Sequence, residues 1–199
     1  MRIILVGAAG TIGRAVDAEL APRHDIVRIG RSRGDDQCDL TDAASISALY
    51  DRVGSFDAVV ATAGEGAFAP LAELDEDALR IGIESKLLGQ IRLLLEGRNR
   101  IADGGSFTFT TGVLSHDPVV GGAALSLANG AIESFARAAA IELPRGLRVN
   151  VVSPGVIEEA LDAYGPYFRG HDPVPAARAA RAYAKSVEGA QTGQVYRVL

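Results

Sequence analysis

The sequence predicts an α/β fold: a Rossmann-type, doubly wound, mostly parallel sheet with helices on both faces, in a single domain that spans residues 1–199. Short apolar runs alternate with longer segments of helical periodicity along the whole chain, which is the pattern of a strand–helix–strand fold with right-handed crossovers. The short runs are apolar nearly throughout rather than at every second residue, as is typical of parallel strands covered on both faces.

The predicted elements follow one another with few interruptions. Asp42 and Asp75 precede two of the helices as N-caps. Residues Glu158–Pro175 are irregular, and they are either a lid or a plain connecting loop. We predict strands at Ile3–Val6, Ile26–Ile29, Asp57–Ala61, Ser106–Thr110, Arg148–Val152 and Gln194–Val198, a short stub near Gln37–Asp39, and helices at Thr11–Leu20, Asp42–Val53, Asp75–Arg98, Ala123–Glu142 and Ala176–Val187.

The composition is that of an ordinary globular protein. The 199 residues are 48% hydrophobic and 23% charged, with a formal net charge of -5, which indicates neither disorder nor a basic nucleic-acid-binding surface. No apolar run reaches the roughly 18 residues of a membrane span, and the N-terminal run is too short for a signal peptide. Cys38 is the single cysteine and is expected to fill a small space in the core. We therefore expect a cytoplasmic protein with no nucleic-acid partner, no membrane partner and no metal site.

A glycine-rich turn follows the first strand. The segment LVGAAGTIGRAV places Gly7, Gly10 and Gly13 between that strand and the first helix. Gly7 permits a tight turn, Gly10 lets the backbone approach a pyrophosphate, and Gly13 lets the helix pack closely. The free amides at the start of the helix, near Thr11 and Ile12, suit phosphate oxygens. The segment predicts a dinucleotide-binding site.

The end of the second strand favours NADP over NAD. The strand ends in Gly30, Arg31, Ser32 and Arg33, without the acidic residue that would bind a ribose 2′-hydroxyl. Two guanidinium groups and a hydroxyl suit a 2′-phosphate. The alternative interpretation is a solvated basic loop. We predict NADP(H) as the cofactor.

With these residues in place, the chain resembles the short-chain dehydrogenase/reductase family over nearly its whole length. The resembling segments are CDLT at Cys38–Thr41, ATAG at Ala61–Gly64, VNVVSPGVI at Val149–Ile157, TGQVYRV near the end, and the glycine turn. It resembles in particular a compact, classical-type subgroup that lacks the usual Ser, Tyr and Lys of the active site. The resemblance implies a small carbonyl or alcohol substrate and cofactor contacts from Asp39, Leu40, Ala63, Gly64, Pro154, Gly155 and Val156.

The resemblance also shows which residues of this chain occupy the family's active-site positions. Leu125 stands at the position of the family tyrosine and Asn129 at that of the family lysine four residues later, while Lys86 takes the position of the family asparagine. The family serine falls on Thr111 or Gly112. Leucine and asparagine transfer no protons, but Thr111 can polarise a carbonyl and Asn129 can bind ribose hydroxyls.

Other side chains are candidate proton donors. His116 follows the strand that ends near Thr111, and imidazole exchanges protons near neutral pH, so Thr111 and His116 are the predicted catalytic residues. Lys86, Tyr164 and Tyr167 are weaker candidates, the tyrosines being more typical of packing. Ser126 is expected to bond the backbone of its own helix.

The helix Ala123–Glu142 is apolar on most of its faces. A helix of this kind is buried, either within one chain or, as in the family, across a subunit interface, so we expect a homodimer or homotetramer.

Two functions stay open: an NADP(H)-dependent oxidoreductase with non-standard acid–base residues, or a non-catalytic dinucleotide-binding sensor or regulatory subunit. A relic that binds nothing is disfavoured by the intact glycine turn.

Overall fold

Seven strands form one sheet in the order β3-β2-β1-β4-β5-β6-β7, and all neighbouring pairs are parallel. The computed structural model describes all 199 residues. The strands are β1 (Arg2–Val6), β2 (Asp25–Gly30), β3 (Asp36–Gln37), β4 (Ala58–Ala61), β5 (Ser106–Thr110), β6 (Arg148–Pro154) and β7 (Val195–Val198). The predicted fold class is confirmed, and the sheet is entirely rather than mostly parallel.

Helices cover both faces of the sheet. They are α1 (Thr11–Leu20), α2 (Ala43–Val53), α3 (Glu76–Gly82), α4 (Gly89–Gly97), α5 (Ala123–Glu142), α6 (Leu161–Tyr164) and α7 (Ala176–Glu188), with a π-helix at Ile83–Leu88 between α3 and α4. None of these helices combines the length and the apolar character that a membrane crossing requires.

Alternate residues of the strands build two separate cores. In β1, Ile4 and Val6 pack with α2, α4 and α5, while Ile3 and Leu5 pack with α1 and α7. All four side chains are at most 2% exposed, and burying an aliphatic side chain of this size contributes about 1.5–3 kcal/mol. Because both faces of the strands are covered, their apolar runs are nearly continuous in sequence.

The predicted helix Asp75–Arg98 is confirmed as one unbroken helical segment, but its middle is not α-helical. The structure divides it into α3, the π-helix Ile83–Leu88 and α4. A π-helix has i→i+5 hydrogen bonds and so takes up an extra residue per turn, which the apolar periodicity of the sequence does not reveal. The insertion changes which side chains of this segment face the cofactor side of the sheet.

The predicted capping residues are confirmed. The Asp42 carboxylate accepts a hydrogen bond of 2.9 Å from the amide of Ala44, and that of Asp75 accepts one of 2.9 Å from the amide of Ala78. No helix lies between β2 and β3. Cys38 is buried, as expected of a small core residue.

The order of the strands fixes where a ligand can bind. β1 lies between β2 and β4, so the chain leaves β1 towards one side of the sheet and later continues on the other side. In such sheets, the loops beyond the carboxyl ends of the central strands leave a crevice at this switch point. The glycine turn that follows β1 opens into that crevice.

Candidate functional site

The glycine turn has the geometry that its sequence predicts. Gly7 has a φ of +85°, and a Cβ there would lie 2.8 Å from the amide nitrogen of Ala63. A Cβ on Gly13 would lie far inside contact distance of the Gly7 carbonyl oxygen. Gly13 therefore lets α1 pack on the glycine turn itself, where any side chain would force the two segments apart.

The N-terminus of α1 is uncapped by any side chain. Gly10 is its N-cap residue and has an extended backbone with a ψ of 171°. The amides of the first turn have no intrahelical acceptors, and the helix dipole adds partial positive charge at this end. A phosphate group fits such a cradle, and Thr11 and Ile12 of this turn line the neighbouring cavity.

Two adjoining cavities lie along the carboxyl edge of the sheet. The larger has a volume of about 460 Å³ and the smaller of about 170 Å³. Both are lined by Ala63, Gly64 and Glu65, so they form one continuous groove. Of the residues predicted to bind the cofactor, Gly7, Arg31, Asp39 and Leu40 line the smaller cavity, and Thr11, Ile12, Asn129, Pro154, Gly155 and Val156 line the larger.

The two predicted arginines are placed differently at the smaller cavity. Arg31 lines it, and its guanidinium lies 2.9 Å from the Glu65 carboxylate across the groove. Arg33 and Ser32 are exposed outside the lining. Only Arg31 is therefore in place for a group bound in this part of the groove.

Asp39 carries a fixed negative charge at the same cavity. Its carboxylate accepts hydrogen bonds from the amide and the hydroxyl of Thr41, at 2.9 and 2.7 Å. These bonds, the backbone bond first, hold the pKa of Asp39 below its usual value because they favour the ionised form. The carboxylate is exposed and keeps acceptor positions for a ligand N–H group.

The end of β5 forms the floor of the larger cavity. The Gln90 carboxamide of α4 receives a 2.7 Å hydrogen bond from the amide of Thr110 and donates one of 2.9 Å to its carbonyl. This pairing extends the sheet where β4 no longer reaches. The next residue, Thr111, is held in a defined position in the cavity wall.

A buried carboxylate fixes the hydroxyl of Thr111. The Thr111 hydroxyl donates to Glu133 Oε1 at 3.1 Å, and the Ser115 hydroxyl donates to the same oxygen at 2.6 Å. Glu133 is 5% exposed. The two hydrogen bonds to one oxygen fix the orientation of the Thr111 side chain in the cavity wall.

Three residues of α5, spaced by four, face this region. Leu125 packs on Gly66, where a Cβ would overlap its side chain. Asn129 donates to the carbonyl of Gly112 at 3.4 Å, while its amide oxygen is buried without a partner. An unpaired buried acceptor at the cavity wall suits a hydroxyl donor of a bound molecule. Glu133 is the third residue.

Lys86 lines the same cavity from the π-helix. Burial alone lowers its pKa from 10.5 to about 8, with no carboxylate among the causes. Desolvation disfavours the charged amine. The cavity therefore contains an amine that exchanges protons close to neutral pH.

The other candidate donors lie at or beyond the rim. His116 is exposed outside the cavity lining, with Nδ1 3.2 Å from the Ser115 hydroxyl. Tyr164 lines the cavity, whereas Tyr167 stacks on Phe68 with ring centroids 4.3 Å apart. The segment Glu158–Pro175 thus lies over the cavity mouth through its aromatic side chains.

Sequence reasoning missed several residues of the site and misplaced one hydrogen bond. Ser126 donates to the Leu114 carbonyl at 2.7 Å rather than to its own helix, because the 3₁₀ turn Val113–Ser115 packs on α5. Glu133 was detectable as a charge one turn beyond Asn129 on a buried helical face. Gln90 had no comparable signal.

Comparison with known proteins identifies the family and the fold. A family model described as Enoyl-(Acyl carrier protein) reductase matches residues 17–196. The crystal structure of the protein lin1944 from Listeria innocua is 49% identical, with a TM-score of 0.98 and 100% of both chains covered. A small-chain dehydrogenase solved in complex with NADPH has a TM-score of 0.88 over 100% of this chain and 96% of its own, but its 23% identity supports the fold alone.

Among curated proteins, the cyclic-di-GMP-binding biofilm dispersal mediator protein of Escherichia coli (strain K12) is 32% identical over 133 residues, which is 63% of this chain and 56% of that protein. The matches span about half the length of the curated relatives. The family model covers nine-tenths of the chain, and similar solved structures share its fold. The chain belongs to the short-chain dehydrogenase/reductase family.

Proposed function

We propose that this protein binds NADP(H) and is an oxidoreductase of a small carbonyl or alcohol, with acid–base residues that differ from those of its family. The observation that supports this proposal most directly is the continuous groove that runs from Arg31 past the uncapped N-terminus of α1 to Thr111. Its length along the carboxyl edge, with a phosphate cradle between two cavities, suits a dinucleotide.

The residues along the groove suit the parts of NADP(H) in order. Arg31 and Asp39 face the adenosine end, the first turn of α1 meets the pyrophosphate, and Asn129 offers an unpaired amide oxygen to ribose hydroxyls. Pro154 and Val156 line the nicotinamide end. A bound reduced nicotinamide supplies hydride to the substrate carbon, and the protein supplies binding, orientation and a proton.

The substrate end of the larger cavity is mainly apolar. Its walls contain Phe68, Leu114, Leu125, Ile157 and Phe168, which favour a substrate with an apolar body next to its carbonyl. The Thr111 hydroxyl is the polar group that Glu133 orients there. Because its one hydrogen is donated to Glu133, its oxygen accepts a hydrogen bond from the hydroxyl of an alcohol substrate or product, which fixes the distance of that oxygen from the other reacting groups.

The function is tested in two stages with purified protein. NADPH fluorescence titration should saturate, and NADH should bind at least about tenfold more weakly, which corresponds to about 1.4 kcal/mol. NADPH oxidation is then followed over a panel of apolar aldehydes and ketones. No saturable binding, or equal binding of NADH, would overturn the cofactor assignment.

Arg31 should discriminate NADPH from NADH. Arg31→Ala is expected to weaken NADPH binding by about 10–100-fold, since a hydrogen bond to a charged group contributes about 1.5–3 kcal/mol, and to leave NADH binding nearly unchanged. Its pair with Glu65 is exposed on both sides, so exchanging that partner for a phosphate costs little.

Arg33→Ala is the matched control for that prediction. Arg33 lies on the same short connection but outside the cavity lining, so its removal should change NADPH affinity less than about threefold, as expected for a screened surface charge. Equal losses for NADPH and NADH in Arg31→Ala would refute a 2′-phosphate contact.

A non-catalytic sensor or regulatory subunit is the second candidate function. It is favoured by Leu125 and Asn129, which occupy the positions of the family's proton-transferring pair without an ionisable group. One relative, the cyclic-di-GMP-binding biofilm dispersal mediator protein of Escherichia coli (strain K12), is named for the nucleotide that it binds. Saturable NADPH binding with no turnover on any carbonyl would favour this candidate.

We further propose that α5 pairs with a second copy of the chain. Leu127 is 48% exposed and Ile141 is 87% exposed, and Ala131, Ser134 and Ala138 continue their face at helical spacing. Complete burial of α5 within one chain is therefore wrong for this structure. A helix face that exposes large apolar side chains among small residues is typical of an interface.

A charge on this stripe should separate the copies. Leu127→Glu combined with Ile141→Glu is expected to give a monomer at micromolar concentration, where the unmodified protein is a dimer or tetramer, because burying two unpaired carboxylates costs several kcal/mol. Light scattering after size exclusion measures the mass. Leu71→Glu, at a side chain 76% exposed elsewhere, should leave the mass unchanged. A monomeric unmodified protein would contradict the proposal.

A further inference from the structure

One side chain in the cavity has a titratable group that no contact of the fold uses. Lys86 and Lys185 are the only two lysines among 20 Lys and Arg residues. Lys185 is exposed on α7, with its Nζ 4.8 Å from the centre of the Tyr196 ring. Lys86, in contrast, faces the larger cavity from the π-helix. The other Lys and Arg residues are all arginines, which keep their proton.

The fold makes specific room for Lys86. Gly64 has a φ of +142°, and a Cβ there would lie 2.9 Å from the Cα, Cβ and Cγ of Lys86. The aliphatic part of the lysine therefore lies against bare backbone at the junction of the two cavities. Local π-helical segments frequently occur at functional sites. The glycine and the π-helix together fix this amine beside the groove.

The titratable side chains around Lys86 leave it without a carboxylate partner. Glu65 pairs with Arg31 at 2.9 Å, and Glu84 of the same π-helix pairs with Arg92 at 2.9 Å. Glu133 of α5 accepts the Thr111 and Ser115 hydroxyls, and Tyr164 of α6 is 45% exposed. The smaller cavity adds Cys38 and Asp39, whose carboxylate accepts from Thr41.

We propose that Lys86 is the acid–base catalyst of the cavity, the group that protonates the substrate oxygen during reduction and deprotonates it during oxidation. This inference rests on the proposed NADP(H)-dependent function. Leu125 and Asn129 carry no group that titrates, and His116 lies outside the cavity lining. Lys86 is the cavity-lining residue that combines an exchangeable proton with a fixed position and the absence of an ion pair.

The proton transfer completes the reaction. As the carbonyl carbon gains a hydride with its two electrons, the electron pair of the C=O π bond moves to the oxygen. An N–H bond of the Lys86 ammonium breaks while an O–H bond forms, and the bonding pair stays on Nζ. Proton transfer leaves an alcohol and the neutral amine of Lys86. The amine takes up a proton from water before the next turnover. Oxidation of the alcohol reverses these steps.

The direction of the reaction sets the sign of the pH dependence. Because the ammonium is the donor, kcat for reduction should be constant below about pH 8 and fall above it, following the lowered pKa of Lys86. Oxidation requires the neutral amine, so its kcat should rise through the same range. Any acid–base group gives opposite profiles about its own pKa, so the inflections are assigned to Lys86 by their loss in Lys86→Met.

The reactivity of the amine is tested without any substrate. The protein is pulse-labelled with acetic anhydride at pH 6–10, and acetylation of Lys86 and Lys185 is measured by mass spectrometry. Lys86 labelling should reach half its maximum near pH 8, and saturating NADPH should slow it at least about fivefold. Lys185 is the internal control and should be unaffected by NADPH. Lys86 labelling that NADPH does not slow would overturn the inference.

The turnover of Lys86 variants distinguishes an effect of the positive charge of Lys86 from proton transfer by its amine. Lys86→Met should lower kcat at least about 100-fold with NADPH affinity within about threefold, while Lys185→Met should match the unmodified protein. Lys86→Arg keeps the charge but holds its proton, so it should remain impaired. Full activity of either Lys86 variant would refute proton transfer by Lys86. Lys86→Gln replaces Lys86→Met if the latter fails to fold in thermal melting.

The failure of this inference is distinct from that of the proposed function. Unmodified protein that binds NADPH but reduces no carbonyl removes the oxidoreductase function and the role of Lys86 together. Unmodified protein and Lys86→Met with equal turnover remove the role of Lys86 alone and leave the oxidoreductase function standing.

Discussion

Replacing Gly13 with alanine is expected to weaken NADPH binding at least about 100-fold, a loss of about 2.7 kcal/mol. The new Cβ would fall on the Gly7 carbonyl oxygen, so α1 must move away from the glycine turn. The helix N-terminus and the glycine turn together form the phosphate cradle, and this movement separates them. Overpacking of this kind also destabilises the fold by about 1–3 kcal/mol. Fluorescence titration and thermal unfolding measure the two effects.

Gly82→Ala is the matched control. Gly82 is also helical, with a φ of -68°, and a Cβ there would meet its nearest atoms at 3.8 and 3.9 Å, which is ordinary contact. Alanine should stabilise the protein by up to about 1 kcal/mol through helix propensity, with unchanged NADPH affinity. If Gly13→Ala binds NADPH as the unmodified protein does, the first turn of α1 is not the phosphate site.

The groove could be predicted from sequence because its determinants are local. Gly7 and Gly13 are needed by the backbone within a single turn, and continuous apolar runs identify parallel strands wherever they pair. The positions of Arg31 and Asp39 follow from their places at the ends of β2 and β3. In each case, the short segment that carries the sequence pattern is also the segment that forms that part of the groove.

The substrate end depends on contacts between distant segments, which periodicity does not encode. Thr111 and Glu133 are 22 residues apart, and their hydrogen bond depends on how α5 packs against the end of β5. The π-helix Ile83–Leu88 rotates Lys86 towards the cavity without altering the apolar pattern around it. His116 was expected near the cofactor because it is close to Thr111 in sequence, but the turn Val113–Ser115 directs it to the surface.

Glu133→Ala is expected to have the second large effect, on both stability and turnover. The Thr111 and Ser115 hydroxyls would lose their common acceptor, and each buried polar group left unpaired costs about 1–3 kcal/mol. Without that acceptor, Thr111 is free to rotate, and misplacement of a substrate-orienting group costs about 100-fold in kcat/KM. Contacts along the rest of the groove remain, so NADPH affinity should change less than about fivefold.

Two controls distinguish orientation of Thr111 from a general loss of structure. Glu133→Gln keeps an oxygen that accepts both hydroxyls and should retain most of the turnover. Glu142→Ala removes an exposed carboxylate at the end of the same helix and should change stability by less than about 0.5 kcal/mol. Because Thr111 binds the substrate oxygen in this proposal, Thr111→Ala and Glu133→Ala should not add in a double variant. Additive losses in kcat/KM would show that Glu133 acts independently of Thr111.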